Sequence, residues 1–354
     1  RSMYLWGEAL RTLERYDEAL IPLLRASEAE PENIHIAIAL GWCFKRTDRI
    51  DRAIDALEQA VEHDPTEALL HYNLACYWCL ARNKTSALEY LAEALELDPE
   101  FALAWVGVAD VMGSLIWMGV MNWDEDMDKR QQAAETALSL NDQLGEAYTS
   151  LASVYRFRNE RDKEQEAYLK AIELSPSYAQ AYQWYASSLG GWDQREKRLQ
   201  LTYKAAQLDP LSLSVQLDLA QALGRVDRDD EARQVIQATL DREPDFARGH
   251  EYLGQMESSN GNLALSIEHF KNAMELDPGN GPMMGAAAMQ YLALGDFEAV
   301  AEIRADMISH LGEENPQVVL LDHELFHAHA NWPLAIERMN QLPPNATNWH
   351  STPW

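Results

Sequence analysis

Residues 71–101 read HYNLACYWCLARNKTSALEYLAEALELDPEF and decide the fold. Leu74 is followed by the small Ala75, and Trp78 stands one helical turn further on the same face. After the polar Asn83-Lys84, a second apolar stripe of Ala87, Leu91 and Ala94 has helical spacing and ends at Asp98-Pro99. Two helices joined by a turn follow from this, and a proline that cannot continue the backbone ladder closes them. The same unit lies on both sides. Proline recurs at Pro31, Pro65 and Pro99, then at Pro176, Pro210, Pro244 and Pro278, always 34 residues apart within a block. Large-small pairs recur with it at Leu40-Gly41, Leu151-Ala152, Tyr185-Ala186, Leu219-Ala220 and Leu253-Gly254, where two helices can approach closely. Ala53, Leu57 and Ala60, and later Ser266, Phe270 and Ala273, repeat the second stripe. The 77 residues from Pro99 to Pro176 are two periods plus nine, with Leu140-Asn141-Asp142 at the missing marker. An insertion at 113–128 accounts for the excess. It carries Leu115, Ile116, Trp117, Met118, Val120, Met121 and Trp123 ahead of Asp124, Glu125, Asp126 and Asp128, and reads as a lengthened first helix or as an exposed docking knob.

These residues resemble the tetratricopeptide-repeat (TPR) family, with nine hairpins from Met3 to Gly312 and a degenerate tenth to Leu342. The resemblance implies an all-α superhelix, an α-α solenoid whose first helices line a concave groove. From Phe101 onward, FALAWVGVADVMGSLIWMGV, LGEAYTSLASVY, AIELSPSYAQAYQWYASSL and AAQLDPLSLSVQLDLAQAL are similar to the repeat region behind bacterial winged-helix regulators and some adenylate cyclases. Residues 1–100 look like a separate short bacterial cassette. The expected organisation is repeats over 1–100, further repeats over 101–342 and a tail at 343–354.

Composition narrows the partner class. Lys plus Arg number 29 against 57 Asp plus Glu, a formal net charge of −28, which disfavours nucleic acid and anionic membrane. No stretch has the roughly 20 apolar residues that membrane insertion requires, and RSMYLWGEAL lacks the regions of a signal peptide. Arg1 starts inside a helical pattern, so more chain is expected upstream. A cytoplasmic location is expected, or a periplasmic one if a signal or anchor precedes Arg1. Cys43, Cys76 and Cys79 sit in helical patterns as packing residues. Cys76-x-x-Cys79 is mid-helix, without the helix N-terminus or neighbouring cation that activates a thiol.

His323-Glu324-Leu325-Phe326-His327 is an H-E-x-x-H string, which on a helix sets two imidazoles on one face beside a carboxylate. A metal-dependent hydrolase is the alternative reading that it supports. No third ligand motif follows, so neither a metal nor another cofactor is expected. Phosphate-cradling and nucleophile-elbow motifs do not occur, and Asn345-Ala346-Thr347 fits a glycosylation acceptor only by pattern. Function is therefore expected in the groove, as a scaffold or sensor holding a protein or extended peptide. Helical spacing sets Tyr4, Ile38, Trp42, Tyr72 and Asn73 on the early lining, and Thr149, Ser153, Gln183, Ser187, Gln221 and Gln255 on the later one. The early part is apolar, with Trp42 and Tyr72 as expected anchors, and the later part is uncharged polar. Of the Lys, Arg and Asn clamp that chaperone-tail-binding relatives close on a terminal carboxylate, only Asn73 has a counterpart. Ile38, Trp42, Leu103 and Gly107 occupy the other positions. A third reading is a structural repeat segment of a larger regulator or cyclase.

Overall fold

The computed structural model describes residues 2–47, 49–81, 83–117, 123–329, 331, 334, 337, 338 and 340, with the side chains of 117 and 123–125 outside the description. Among the described residues the regular structure is nineteen α-helices and one short 3-10 turn, with no strand. The chain forms two compact units, Arg1–Leu211 and Ser212–Trp354. In unit 1 the hairpins are α1 (Ser2–Thr12) with α2 (Tyr16–Ala29), α3 (Ile34–Arg46) with α4 (Ile50–His63), and α5 (Ala68–Leu80) with α6 (Lys84–Leu97). They continue with α7 (Ala102–Trp117) and α8 (Trp123–Leu140), α9 (Gly145–Phe157) and α10 (Arg161–Leu174), and α11 (Ala179–Ser188) and α12 (Arg195–Leu208). Unit 2 holds α13 (Leu213–Gly224) with α14 (Asp229–Arg242), α15 (Ala247–Ser259) with α16 (Leu263–Leu276), α17 (Gly281–Leu294) with α18 (Phe297–Leu311), and then α19 (Pro316–Ala328). The nine hairpins stand where the period sets them, and α19 opens the tenth. Pro99 falls between α6 and α7 inside unit 1, and the division between units follows Leu211.

The proline marker works through its predecessor. Glu30, Asp64, Asp98, Ser175, Asp209, Glu243 and Asp277 each cap a second helix and precede a proline, which excludes them from helical backbone angles. The proline carbonyl is then free to accept. Six residues on, a ring donor meets it: His71 Nε2 to Pro65 O at 3.0 Å, Trp105 Nε1 to Pro99 O at 3.1 Å, Tyr182 Oη to Pro176 O at 3.1 Å and His250 Nε2 to Pro244 O at 3.1 Å. The apolar stripes supply the core. Ala53, Leu57, Ala60, Ala87, Leu91, Ala94, Ser266, Phe270 and Ala273 are all buried, and the Ser266 hydroxyl donates to Gly254 O at 2.7 Å. Close approach at the small residues is real. A Cβ on Gly254 would stand 3.1 Å from the Phe270 ring.

Successive first helices touch one another in unit 1 from α1 through α3, α5, α7 and α9 to α11, and in unit 2 at α13–α15 and α17–α19; second helices do not touch one another to that extent. The tighter spacing puts the first helices on the inside of each unit's curve. In unit 1 the curve brings Arg46, at the end of α3, to Asp209 beyond α12, with Nη1 and Oδ1 3.0 Å apart across 163 residues of sequence. At the insertion, α7 runs 16 residues where α5 and α9 run 13. Leu115, Ile116 and Met127 are buried there. The described part is thus a lengthened helix that packs, while Met118, Val120 and Met121 and the side chains of Trp117, Trp123, Asp124 and Glu125 lie outside the described residues, as do 343–354 and the Asn345 acceptor. No helix among the described residues is long and apolar enough to cross a membrane.

Candidate functional site

On the inner face of unit 1, α5 carries Tyr72 and Cys76, α7 carries Asp110 and α9 carries Glu146. Asp110 is the one ionisable side chain of α7. It accepts from the Ser150 hydroxyl, and burial pushes its carboxyl up to about 6. The same burial pushes the Cys76 thiol up to about 11 and raises the hydroxyls of Tyr72 and Tyr178, both of which face Asp110 and Glu146. Lys45 is lowered by burial, with Arg46 beside it. Arg46 in turn pairs with Asp209. Arg130 of α8, only 2% exposed, donates Nε to Ala109 O at 2.9 Å and bonds the Ser153 hydroxyl, which itself donates to Ser150 O at 2.8 Å. The guanidinium lies 5.5 Å from the Phe157 ring and fills the place that a side chain on Gly113 would need.

The residues expected on the groove separate into three groups. Thr149 and Ser153 leave the lining, since they are 1% and 7% exposed and their hydroxyls are used internally: Thr149 donates to Gly145 O at 2.9 Å, and Ser153 joins the Arg130 network. Spacing identified the face but could not see that Arg130 reaches Ser153 from α8 or that Thr149 bonds back along α9. Tyr4 and Ile38 are half-buried and pack against the first core cluster, while Tyr72 sets its ring 5.1 Å from Phe101. Asn73 is half-buried and donates Nδ2 to Leu69 O of its own helix at 2.7 Å, so its amide is held along α5. Trp42 remains 39% exposed, with the Lys45 ammonium 5.0 Å from its ring. Gln183, Ser187 and Gln221 are half-buried, and the Ser187 carbonyl accepts from Arg156 at 3.0 Å. Gln255 is exposed and gives Nε2 to Glu251 Oε1 at 3.1 Å.

Gln255 leads to the feature that spacing alone missed. In unit 2 a cavity of about 540 Å³ lies across α15, α17 and α19. Glu251, Gln255 and Ser258 come from α15, Pro282, Gly285, Ala286, Met289 and Gln290 from α17, and Gln317, Leu320 and Glu324 from α19, with Phe270 of α16 at the floor. Its size is that of a ligand site. Burial raises the Glu251 carboxyl, and Asp277 raises it further against the opposing pull of Arg248. The signal available in the sequence was the repeat register itself: Gln255, Gly285 and Gln317 sit on successive first helices, but only folding shows that Gly285 leaves the space between them empty.

Glu324, from the H-E-x-x-H string, therefore faces the cavity. His323 and His327 lie one turn apart on α19 with ring centroids 6.2 Å apart and tilted by 45°. Among the described residues no group of three or more His, Cys, Asp or Glu is placed to hold a metal ion. Cys76 and Cys79 are half-buried free thiols, both raised chiefly by burial, the reverse of redox activation.

Profiles of the tetratricopeptide-repeat family match residues 10–75, 145–178 and 217–281. A 52-residue segment is 38% identical to anaphase-promoting complex subunit 3 of Dictyostelium discoideum, covering 15% of this chain and only 5% of that relative. Among solved structures, an APC/C hetero-tetramer, Cut9-Hcn1, is similar over 81% of this chain and 55% of the other, with 14% identity and a TM-score of 0.57. A crystal structure of MamA is similar over 49% of this chain and 96% of the other, with 26% identity and a TM-score of 0.38. The profile matches fall on hairpins of both units, and the fold agrees with them: the chain is a tetratricopeptide-repeat protein.

Proposed function

We propose that the chain holds a protein, by an extended segment, on the inner faces of its repeats, and that the cavity of unit 2 is the principal seat. The observation that carries this is the cavity itself, about 540 Å³ bounded by three successive first helices and lined by amides, hydroxyls and apolar groups in one place. Such a lining gives an extended backbone partners for its N–H and C=O groups while apolar side chains fill the floor. A site of this composition has no nucleophile with an adjacent base, so binding is the activity it supports. Trp42 is a further contact on offer in unit 1, whereas Tyr72 is occupied by Phe101. The likeness of residues from 101 onward to the repeat regions of winged-helix regulators and cyclases fits a receiving module within a regulator. The hydrolase reading has two imidazoles in its favour, and among the described residues no third ligand is placed beside them.

Site-specific photo-cross-linking tests the proposal. A benzophenone side chain at Gln255 or Gln317 should capture partners recovered with the whole chain as bait, and the same group at Glu268 or Glu302, on second helices, should not. Capture confined to the second-helix positions would reverse the assignment.

A further inference from the structure

Among the described residues, Glu251 and Glu324 are the ionisable ones that line the unit 2 cavity, and no lysine or arginine lines it. The Glu251 carboxylate accepts from Gln255 Nε2 at 3.1 Å, a neutral donor, and the pull of Arg248 on it is outweighed by burial together with the repulsion of Asp277. The same cavity is lined by the apolar Phe270, Ala286 and Met289. Room between them is kept by Gly285, where an added Cβ would meet nothing nearer than Gln317 Oε1 at 3.8 Å. A long aliphatic stem ending in a cation matches this lining: methylenes pack on the apolar groups while the charge pairs with the acids. Met289 adapts to either stem, being unbranched and polarisable. An acidic or phosphorylated segment would meet two carboxylates and no cation, a repulsive arrangement in a partly desolvated site. In unit 1 the arginines of the inner face are already engaged, Arg46 with Asp209 and Arg130 with Ala109 O and Ser153.

We infer that the cavity between α15, α17 and α19 receives a lysine or arginine side chain presented among apolar residues of a partner segment, with Glu251 and Glu324 as its counter-charges. This rests on the binding reading above and gives the occupant its chemistry. Burial of Glu251, which raises its carboxyl, adds to the gain when a cation arrives.

Fluorescence polarisation with labelled heptapeptides tests it, the peptides sharing leucine and serine flanks and differing at a central Arg, Lys, citrulline or Glu. Against the full chain, the Arg and Lys peptides should bind at least about tenfold more tightly than citrulline, with Glu weakest. Combining Glu251→Gln with Glu324→Gln should bring Arg down to the citrulline value, while Glu298→Gln, at an exposed position on α18, should change nothing. Gly285→Leu, which fills the cavity, should abolish binding of every peptide while circular dichroism and the melting curve stay native. Binding that ignores the central charge yet is lost in Gly285→Leu overturns the cation assignment and leaves the seat in place. Preference for Glu, or an Arg preference untouched by the double Gln variant, overturns the cation assignment too. If no peptide binds in a Gly285-sensitive way, both the occupant and the seat are wrong.

Discussion

The inner faces of the two units are built from the same 34-residue pattern and end up opposite in character. On the inner face of unit 1 the polar groups are partnered within the fold: Arg130 has Ala109 O and Ser153, Asp110 has Ser150, and Arg46 reaches Asp209. In unit 2 the buried charges are acids whose cationic partners reach solvent. Glu257 is paired with Arg233, and Asp322 with Arg304 and Arg338. Its inner face keeps an open cavity instead of a network. The lesson is that repeat identity sets the backbone, whereas a few exceptional residues decide whether a face is filled or left for another molecule. Gly113 and Arg130 fill one, and Gly285 leaves the other open.

The contrast breaks hardest at Arg130. Arg130→Ala removes a donor shared by the Ala109 carbonyl and the Ser153 hydroxyl and leaves the space of a packed guanidinium empty in a dry interior, so a loss of about 3–5 kcal/mol is expected in urea unfolding. A loss below about 1 kcal/mol would mean that unit 1 is not held by this network. Asp322→Ala in unit 2 removes a carboxylate bridging two arginines that are themselves 30% and 18% exposed and can rehydrate. Its cost should be smaller, about 2–3 kcal/mol. Equal costs at the two sites would erase the distinction between a buried cation and a buried acid.

Titration sharpens the comparison. The Asp110 carboxyl sits at about 6 in the fold, above its value of about 3.9 in an unfolded chain. Between those limits the native state binds more protons than the unfolded one, so the Asp110 contribution to stability is fully present below about pH 4 and is lost as pH rises through about 6. Because Asp110 is only part-buried, the loss is discounted to about 1–2 kcal/mol. Asp110→Asn retains an acceptor for Ser150 and should remove this dependence: the variant and the parent should melt alike near pH 4, with the variant more stable at pH 7. Parallel melting-temperature profiles over that range would show that Asp110 is solvated in both states.

Much of the fold was legible because its signals are local and repeated. Leu74-Ala75 with Trp78, and Ala87 with Leu91 and Ala94, specify one hairpin, and the prolines reset the register every 34 residues. The site was legible only in part. Helical spacing fixes which face Thr149 and Ser153 occupy, but Ser153 is taken up by Arg130 from the neighbouring second helix, and the Thr149 hydroxyl turns back onto Gly145 O of its own helix. Asn73 illustrates a different limit, since a side-chain amide can turn back onto its own helix as readily as into a groove. The cavity was hidden because it depends on a missing Cβ and three helices at once. The ring donors six residues after Pro65, Pro99, Pro176 and Pro244 were plain in the sequence and carry a sequence-readable cap that periodicity of apolar residues does not reveal.

The smallest expected effect is the most direct probe of open against closed. Glycine inside a helix costs up to about 1 kcal/mol relative to alanine, through backbone entropy, so Gly→Ala is stabilising wherever the new methyl meets no obstacle. At Gly285 of unit 2 the nearest atom to an added Cβ is 3.8 Å away, and Gly285→Ala should raise stability by about 0.5–1 kcal/mol. At Gly107 of unit 1 the added Cβ would stand 2.8 Å from Leu91 Cδ2, with Cδ1 at 3.4 Å. Leu91 is itself fully packed beneath α7, so it cannot swing away without disturbing the core, and the overpacking should outweigh the entropic gain. Gly107→Ala is therefore expected to destabilise by about 1–2 kcal/mol. The two identical substitutions thus differ in sign, and equilibrium urea unfolding resolves a difference of that size. Stabilisation at both positions would show that the inner face of unit 1 yields as easily as that of unit 2, whereas destabilisation at Gly285 would mean that the cavity is already filled by motion of Met289 or Gln317, leaving no room for a partner side chain.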